Sequence, residues 1–401
     1  MWPEPASSAA GSRMMQLIKL FSENQCKITI ACDAHVTEHS FNFSEYAVAC
    51  ITIELNNSTY DDLFKKLQPT IIVFDRFMTE EKYGWRITEQ CPDAIKILDT
   101  EDLHCLRKGR QDAFKKKKEF TTNDLLNDTA KREIASIYRC DLSIIISTFE
   151  MELLRSFFKM DKELLHYLPF LLEPLNDKDI KEWPAFNDRR HFVSIGNFLH
   201  DPNADAVLFM KQDIWPLIRN QLPGAELHIY GAYASEKINN LNDPKEGFLI
   251  KGRALNAKEV IRGAKVLLAP LRFGAGIKGK LAEAMQCGTP SVTTSIGAEG
   301  MHKPYPWPGF IADRASHIAN EAVKLYTNEA LWQELQRNGI TIINTFFSKQ
   351  KHETCFIDKL LYTQKNLIEH RRKNFIGAIL LHHSMNSTKY MSKWIEQKNK
   401  V

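Results

Sequence analysis

The residues best suited to chemistry lie in one stretch, APLRFGAGIKGKLAEAMQCGTP (269–290). It places Gly274, Gly276, Lys278, Gly279 and Lys280 ahead of a helix-forming segment that carries Glu283. Glycines let backbone amides approach a ligand closely, and a helix N-terminus adds unpaired N–H groups and the positive end of its dipole. Cations at that end are unfavourable unless an anion sits between them and the helix, so Lys278 and Lys280 point to a bound phosphate or diphosphate. Glu283 stands among Leu281, Ala282, Ala284 and Met285. A carboxylate in such apolar company needs a partner, and a ribose diol suits it because one carboxylate accepts both hydroxyl hydrogens. The stretch is neither a Walker loop nor a G-x-G-x-x-G fingerprint. The plainer alternative is a glycine turn with solvated lysines and a solvated or capping glutamate.

Two segments of the first half, FDRFMTEEKYGW (74–85) and LDTEDLHCLRKGR (98–110), each end a strand-like run with charged and aromatic residues. Asp75, Arg76, Glu80, Glu81, Asp99 and Asp102 are therefore candidates for substrate contacts, with helix caps and ion pairs as the alternative. His104 follows in the second segment and reads equally as a ligand or as a helix-cap histidine.

The elements that must position these groups alternate. CKITIAC (26–32), PTIIVFD (69–75), AIKILDT (94–100) and CDLSIIIS (140–147) read as strands after helix-like segments, hence β/α repeats around a buried parallel sheet. STFE (147–150) opens a helix with a capping box between Ser147 and Glu150. The polar stretch 171–191, with two prolines, reads as a linker. Alternation then restarts with strands at 192–197, 226–231, 247–252, 265–270 and 290–295, and KLAEAMQC is a helix stopped by Gly288 and Pro290. The expected architecture is α/β with two Rossmann-like doubly wound domains facing across a cleft, where ligands lie beyond the carboxyl ends of the strands. PEPASSAAGSR (3–13) resembles the turn after a first strand that the chain does not show, so the first strand of the N-terminal domain is either dispensed with or upstream. The expected domains are 1–180, 187–360 and a helical basic tail, 361–401.

At 401 residues, 44% apolar and 25% charged, the chain fits two domains of a soluble globular protein. No run of 18 apolar residues and no signal-like N-terminus occurs. Eight scattered cysteines without a C-x-x-C pair argue against zinc and disulfides and suit a reducing cytoplasm. Residues 366–401 hold seven Lys or Arg against two Glu, a net of +5 within an overall +4. The tail and the run RKGRQDAFKKKKEF (107–120) read as solvated faces or as contacts for an anionic surface, and nothing has the pattern of a nucleic-acid module. Phe375, Ile376, Ile379 and Leu380 at helical spacing let the tail pack on the first half or touch anionic lipid at the inner membrane face.

Residues 269–301 resemble the nucleotide-sugar signature of GT-B glycosyltransferases, family 4 (the group 1 transferases). FVSIGNFLHDPNADAV, LPGAELHIYG, IKGRALNAKEVIRGAKVLLAP and GFIADRASHIANEAVKLYTNEALWQELQRNG extend the likeness through the second half. PEPASSAAGSRMMQLI, DLSIIISTFEMELL and LLHYLPF carry it more loosely through the first. The resemblance implies that Glu283 binds the nucleotide ribose, that Gly274, Gly276 and Ile277 offer backbone to sugar and diphosphate, and that Lys278 and Lys280 neutralise the diphosphate. It places Arg253 and Lys251 near the base, Gly11 and Ser12 in a glycine loop at the donor phosphate, and His104 at a sugar hydroxyl or in proton transfer. Two departures stand out. Ala275 occupies the position of the family's other glutamate, and SIGNFLHDPN lacks the usual arginine and lysine, which throws weight onto Lys278 and Lys280.

The activity implied is transfer of a sugar from a nucleoside diphosphate sugar to an acceptor hydroxyl, retaining and without a metal or other cofactor. The acceptor would be a glycan or lipid-linked molecule in surface polysaccharide or glycolipid assembly. A nucleotide-sugar epimerase of the same fold and a non-catalytic nucleotide-sugar-binding protein remain the alternatives.

Overall fold

The structure is a computed structural model that describes residues 2–399, apart from the side chains of 383–385. Two compact units make up the chain. The first comprises Trp2, Ile18–Pro169 and the chain from Lys351 onward, the second Pro3–Leu17 and Phe170–Gln350.

In the first unit, β1 (Ile28–Cys32) and β2 (Val48–Thr52) form a two-stranded parallel sheet of their own. The four-stranded sheet is β3 (Ile71–Asp75), β4 (Ile95–Asp99), β5 (Leu142–Ile145) and β6 (Leu165–Tyr167), paired in that order and all parallel. The sequence expectation of one sheet including 26–32 is thus corrected. β1 is only partly covered, whereas every residue of β4 and β5 is buried, as sheet strands with helices on both faces must be. The capping box expected at Ser147 and Glu150 also does not form: Glu150 Oε1 instead accepts from the Leu103 amide at 3.0 Å, bracing the turn after β4.

The C-terminal helices Leu367–Lys373 and Phe375–Asn399 belong to this unit. Arg371 clamps Asp141 with Nε at 2.7 Å and Nη2 at 2.8 Å, and Asn374 Nδ2 donates to the Tyr138 carbonyl at 2.7 Å. The last helix lies on Phe77–Gln90 and Asp128–Arg139. Gly377 makes that approach feasible, since a Cβ there would stand 2.2 Å from the Tyr138 oxygen.

The second unit carries a six-stranded parallel sheet. Its strands are β7 (Arg190–Ile195), β8 (Leu227–Tyr230), β9 (Phe248–Gly252), β10 (Ala264–Ala269), β11 (Ser291–Thr293) and β12 (Gly309–Ile311). Their order, β12-β11-β10-β7-β8-β9, reverses between β7 and β10. This is a doubly wound sheet, and its ligand crevice lies where the direction of winding changes, at the carboxyl ends of those two strands. Phe192, Phe248, Val266, Leu268, Trp215 and Trp332 are buried beneath the sheet, each contributing about 1.5–3 kcal/mol on burial. The expected linker 171–191 lies inside this unit, where it forms the one-turn helix Asp177–Lys181 and delivers Arg189 to the core. Arg189 donates to Thr289 Oγ1 at 2.7 Å and to the Cys287 carbonyl at 3.0 Å, pinning the end of the helix Gly279–Gln286. No helix among the described residues is long and apolar enough to cross a membrane.

Candidate functional site

β10 ends at Ala269, and the chain turns through Gly274 and Gly276, the latter at φ +64°, before the helix Gly279–Gln286 begins. A β-carbon at position 276 would be strained in that left-handed conformation. Buried Phe273, Ala275 and Ile277 anchor the loop between its glycines. Lys278 is the N-cap, and its ammonium folds back to donate to the carbonyls of Ala275 (3.1 Å) and Gly276 (2.6 Å). The Gly279 and Lys280 amides that follow have no intrahelical acceptor, as at every helix start.

Lys280 reaches the other side of the crevice. Its ammonium donates to Asn203 Oδ1 at 2.7 Å and lies beneath Gly196, the residue just past β7, where a Cβ would come within 2.7 Å of Nζ. Asn203 Nδ2 in turn donates to the Asn197 carbonyl at 2.7 Å. Lys280 as a whole is half-buried, and its ammonium lies against Asn203. Burial lowers its pKa to about 8, against the attraction of Glu283 and helped by the repulsion of Lys278. Glu283 lies one helical turn further on. Its carboxylate makes no hydrogen bond among the described residues, and burial pushes its pKa up while Lys258 and Lys280 pull it down.

Residues 3–17 belong to the same unit. Asn197 Nδ2 donates to the Ser7 carbonyl (3.3 Å), Tyr233 donates to Glu4 Oε2 (3.1 Å), and Ala9 packs so tightly on Gly279 that a Cβ there would be 2.9 Å away. The glycine loop expected at Gly11 and Ser12 is corrected: both stand in the first turn of the helix Ala9–Glu23. The Gly11 amide donates to Ser8 Oγ at 3.0 Å, Ser12 Oγ donates to the Pro5 carbonyl at 3.0 Å, and Gly11 packs directly on the Glu4 backbone. The segment that approaches the Gly279 helix is therefore 4–9 rather than the glycine itself. Arg253 and Lys251 are exposed at the carboxyl end of β9.

In the first unit the ends of β3 and β4 gather a second cluster. Asp75 receives two bonds from its neighbour Arg76, Nε at 2.9 Å and Nη2 at 2.7 Å. Arg76 adopts φ +65° and Glu101 φ +62°, left-handed backbone in non-glycine residues at both strand ends. Although burial opposes it, the carboxylates of Asp75, Glu101 and Asp102 hold the Arg76 guanidinium above its ordinary pKa. His104 begins the helix His104–Lys115, whose amides at 104 and 105 are capped by Glu133 at 2.9 and 3.0 Å. His104 Nδ1 lies 3.2 Å from the Asp102 carbonyl, 3.3 Å from Asp102 Oδ1 and 3.5 Å from Glu133 Oε1. Acceptors surround Nδ1, while Nε2 has no hydrogen-bond partner among the described residues. Glu81 is engaged by Arg132 and buried Glu80 by Arg139, both in two-pronged pairs that commit them to structure. Asp102 also accepts from Arg107 at 2.9 Å.

Sequence reasoning missed Asn197, Asn203 and Glu133. The first two occupy the loop already noted as lacking arginine and lysine, and Glu133 lies on a helix distant in sequence. Among the described residues no three His, Cys, Asp or Glu side chains converge as metal ligands do.

Residues 189–328 match the family model described as "Glycosyl transferases group 1", and the match spans β7 to the helix Ala315–Thr327 with the whole lysine–glutamate segment inside it. This part of the chain is similar to the group 1 glycosyltransferases. Comparison with curated proteins finds no match. Among solved structures, sucrose-phosphate synthase from Thermosynechococcus elongatus is 16% identical at a TM-score of 0.65, covering 91% of this chain and 97% of that one. HepE from Anabaena, solved with UDP and glucose, is 11% identical at 0.64, covering 89% and 96%. A mutant of S. aureus TarM, in complex with fondaparinux, alpha-GlcNAc-glycerol and UDP, is 16% identical at 0.57, covering 76% of this chain. The chain spans 58% of the length of TarM. These glycosyltransferases share the GT-B fold with this chain, as the sequence led one to expect.

Proposed function

We propose that the protein transfers a sugar from a nucleoside diphosphate sugar to a hydroxyl of a glycan or lipid-linked acceptor, with retention and without a metal. The observation that carries this reading is the helix Gly279–Gln286 at the winding reversal, with Lys278 and Lys280 at its start and unbonded Glu283 one turn on. Cleaving the sugar–diphosphate bond builds negative charge on the departing diphosphate. Preorganised cations and amides stabilise that charge most where it develops. Lys280 meets it from the β7 side of the crevice, Lys278 from the loop, and the first-turn amides from the helix end. Glu283 accepts from the ribose hydroxyls, and exposed Arg253 is assigned to the base. His104, through Nε2, is assigned to a sugar hydroxyl, and Asp75, Arg76 and Asp102 around it to the acceptor side. The role suits a cytoplasmic step of surface polysaccharide or glycolipid assembly.

UDP appears in the titles of the HepE and TarM complexes, so uridine is the first nucleotide to try. The test is titration of UDP, GDP, ADP and dTDP with and without EDTA, followed by incubation of the matching sugar nucleotides with candidate acceptors. The reading expects one nucleotide to bind irrespective of EDTA, Lys280→Ala and Glu283→Ala to weaken it, and a product that requires acceptor. Interconverted sugar nucleotides without acceptor would establish the epimerase, and tight binding without any turnover the binding protein. Unchanged affinity in both variants would refute the site.

A further inference from the structure

The last helix, Phe375–Asn399, has two faces. One carries Gly377 and Ser392, both buried, with Lys389 paired to Glu89 and Glu396 to Arg86. At 100° per residue, Phe375, Ile376, Ile379, Tyr390 and Trp394 fall within about 100° of one another on the opposite side. They are 44–70% exposed. The residues form two groups on this face, 375–379 and 390–394, about 28 Å from end to end at 1.5 Å per residue, with polar Asn386 between them. Single exposed apolar residues are ordinary, but two aromatic and aliphatic groups on one helix face mark a contact surface.

Charge identifies what covers it. Between 366 and 399 the only carboxylates are Glu369 and Glu396, and both are paired, with Lys373 and Arg86. Among the described residues Arg372, Lys393 and Lys398 have no ion pair; Lys398 rests over the Trp394 ring at 5.5 Å. A second copy of the chain, meeting this face about a two-fold axis, would bring these cations together with no carboxylate to answer them. A nucleic acid would match the cations but leave the apolar row uncovered. An anionic bilayer satisfies both: the apolar row enters the acyl boundary, Tyr390 and Trp394 sit at headgroup depth, and the flanking cations meet lipid phosphates.

We propose that the exposed stripe of the helix Phe375–Asn399 docks the protein on an anionic membrane surface, its opposite face remaining packed on the first unit. This surface belongs to the first unit and the donor site to the second, and the proposal does not rest on the transferase reading. The test is flotation of the full chain with vesicles of phosphatidylcholine alone and with about a third phosphatidylglycerol. The wild type should float with the anionic vesicles. Ile379→Ser with Trp394→Ala should lower the partition coefficient about tenfold or more, and Lys393→Glu with Lys398→Glu should remove the anionic preference. All four positions are at the surface, so thermal midpoints should stay unchanged. Trp394→Phe should keep binding yet lose the fluorescence quenching that brominated lipid causes in the wild type. No flotation of folded wild type would overturn the proposal. So would binding that survives removal of the stripe and disappears with salt, which would place the contact at another basic run such as 115–118. A dimer that becomes monomeric on loss of the stripe would overturn it in favour of self-association.

Discussion

The most discriminating property of the site is the titration of Lys280. With its ammonium buried against Asn203, the lysine has a pKa of about 8 without ligand, so its charge is mostly present at pH 7 and mostly gone at pH 9. A diphosphate beside it favours the charged form and raises that value. The bound state therefore holds more protons than the free state, and affinity must fall as pH climbs through 8. The diphosphate itself is ionised across this window and adds no opposing change, since its last phosphate pKa is near 6. If only protonated Lys280 binds well, the apparent Kd grows by about 1 + 10^(pH − 8), a weakening of roughly tenfold between pH 7 and pH 9, or about 1.4 kcal/mol.

Isothermal titration of UDP measures this directly. At pH 8.5, binding should take up about three quarters of a proton, seen as a dependence of the heat on the buffer's ionisation enthalpy. Lys280→Met should abolish both the uptake and the pH slope and leave weak binding throughout. It should also raise the thermal midpoint of the ligand-free protein at pH 7. Burying a charge whose pKa falls from 10.5 to about 8 is destabilising on the order of 3 kcal/mol, and the destabilisation is present below pH 8 and relieved as pH rises toward 10.5. A wild-type affinity that is flat from pH 7 to 9, or a slope that persists in Lys280→Met, would refute the placement of Lys280 at the diphosphate.

Glu283→Gln should weaken UDP about tenfold by losing the carboxylate that accepts both ribose hydroxyls, while leaving pyrophosphate binding unchanged in the same calorimeter. His104→Ala should lower kcat about a hundredfold or more if Nε2 takes a proton, with UDP affinity within twofold of wild type; steady-state kinetics and titration together separate the two. Glu80→Ala should lower unfolding free energy by about 3–5 kcal/mol in urea, because it leaves the buried Arg139 guanidinium without its carboxylate.

Much of this arrangement was legible in the residues. The run from KVLLAP through Gly288 specifies a buried strand, a glycine turn and a helix with a left-handed stop, and β10, the loop and the helix Gly279–Gln286 occupy those places, with Gly288 at φ +60°. What escaped depends on contacts that no local pattern encodes. Short β2, β6 and β12 owe their pairing to neighbouring strands, since three to five residues carry too little periodicity to declare themselves. Glu150 has the spacing of a capping partner, yet the buried amide of Leu103 claims it. Asn203 reads as an ordinary helix-start residue until Lys280, 77 positions later, is seen to need it. Glu133 is one acid among many until its two bonds to the start of the His104 helix show what it holds.

The partners of the cations decide which of them the proposed diphosphate would recruit. Arg272, in the same loop as the two lysines, is locked to Asp205 by bonds of 2.9 and 2.7 Å and stacks on Phe209. Drawing it away would expose a carboxylate to the incoming anion, so its charge belongs to the fold. Lys280 is held instead by a neutral amide oxygen, and Lys278 bonds to two backbone carbonyls. A neutral acceptor fixes the position of the Lys280 ammonium without cancelling its charge, so an anion arriving there meets a full positive charge. The dipole at the helix start repels both lysines, and burial depresses Lys280 further, so the empty site is held in a state less favourable than the filled one. This asymmetry is what the proposed diphosphate site requires. Replacing Asn203 by Asp would remove it, since the new carboxylate would satisfy Lys280 in place of the ligand. Asn203→Asp should therefore stabilise the free protein, flatten the pH slope of UDP binding and weaken that binding more than Asn203→Ala does.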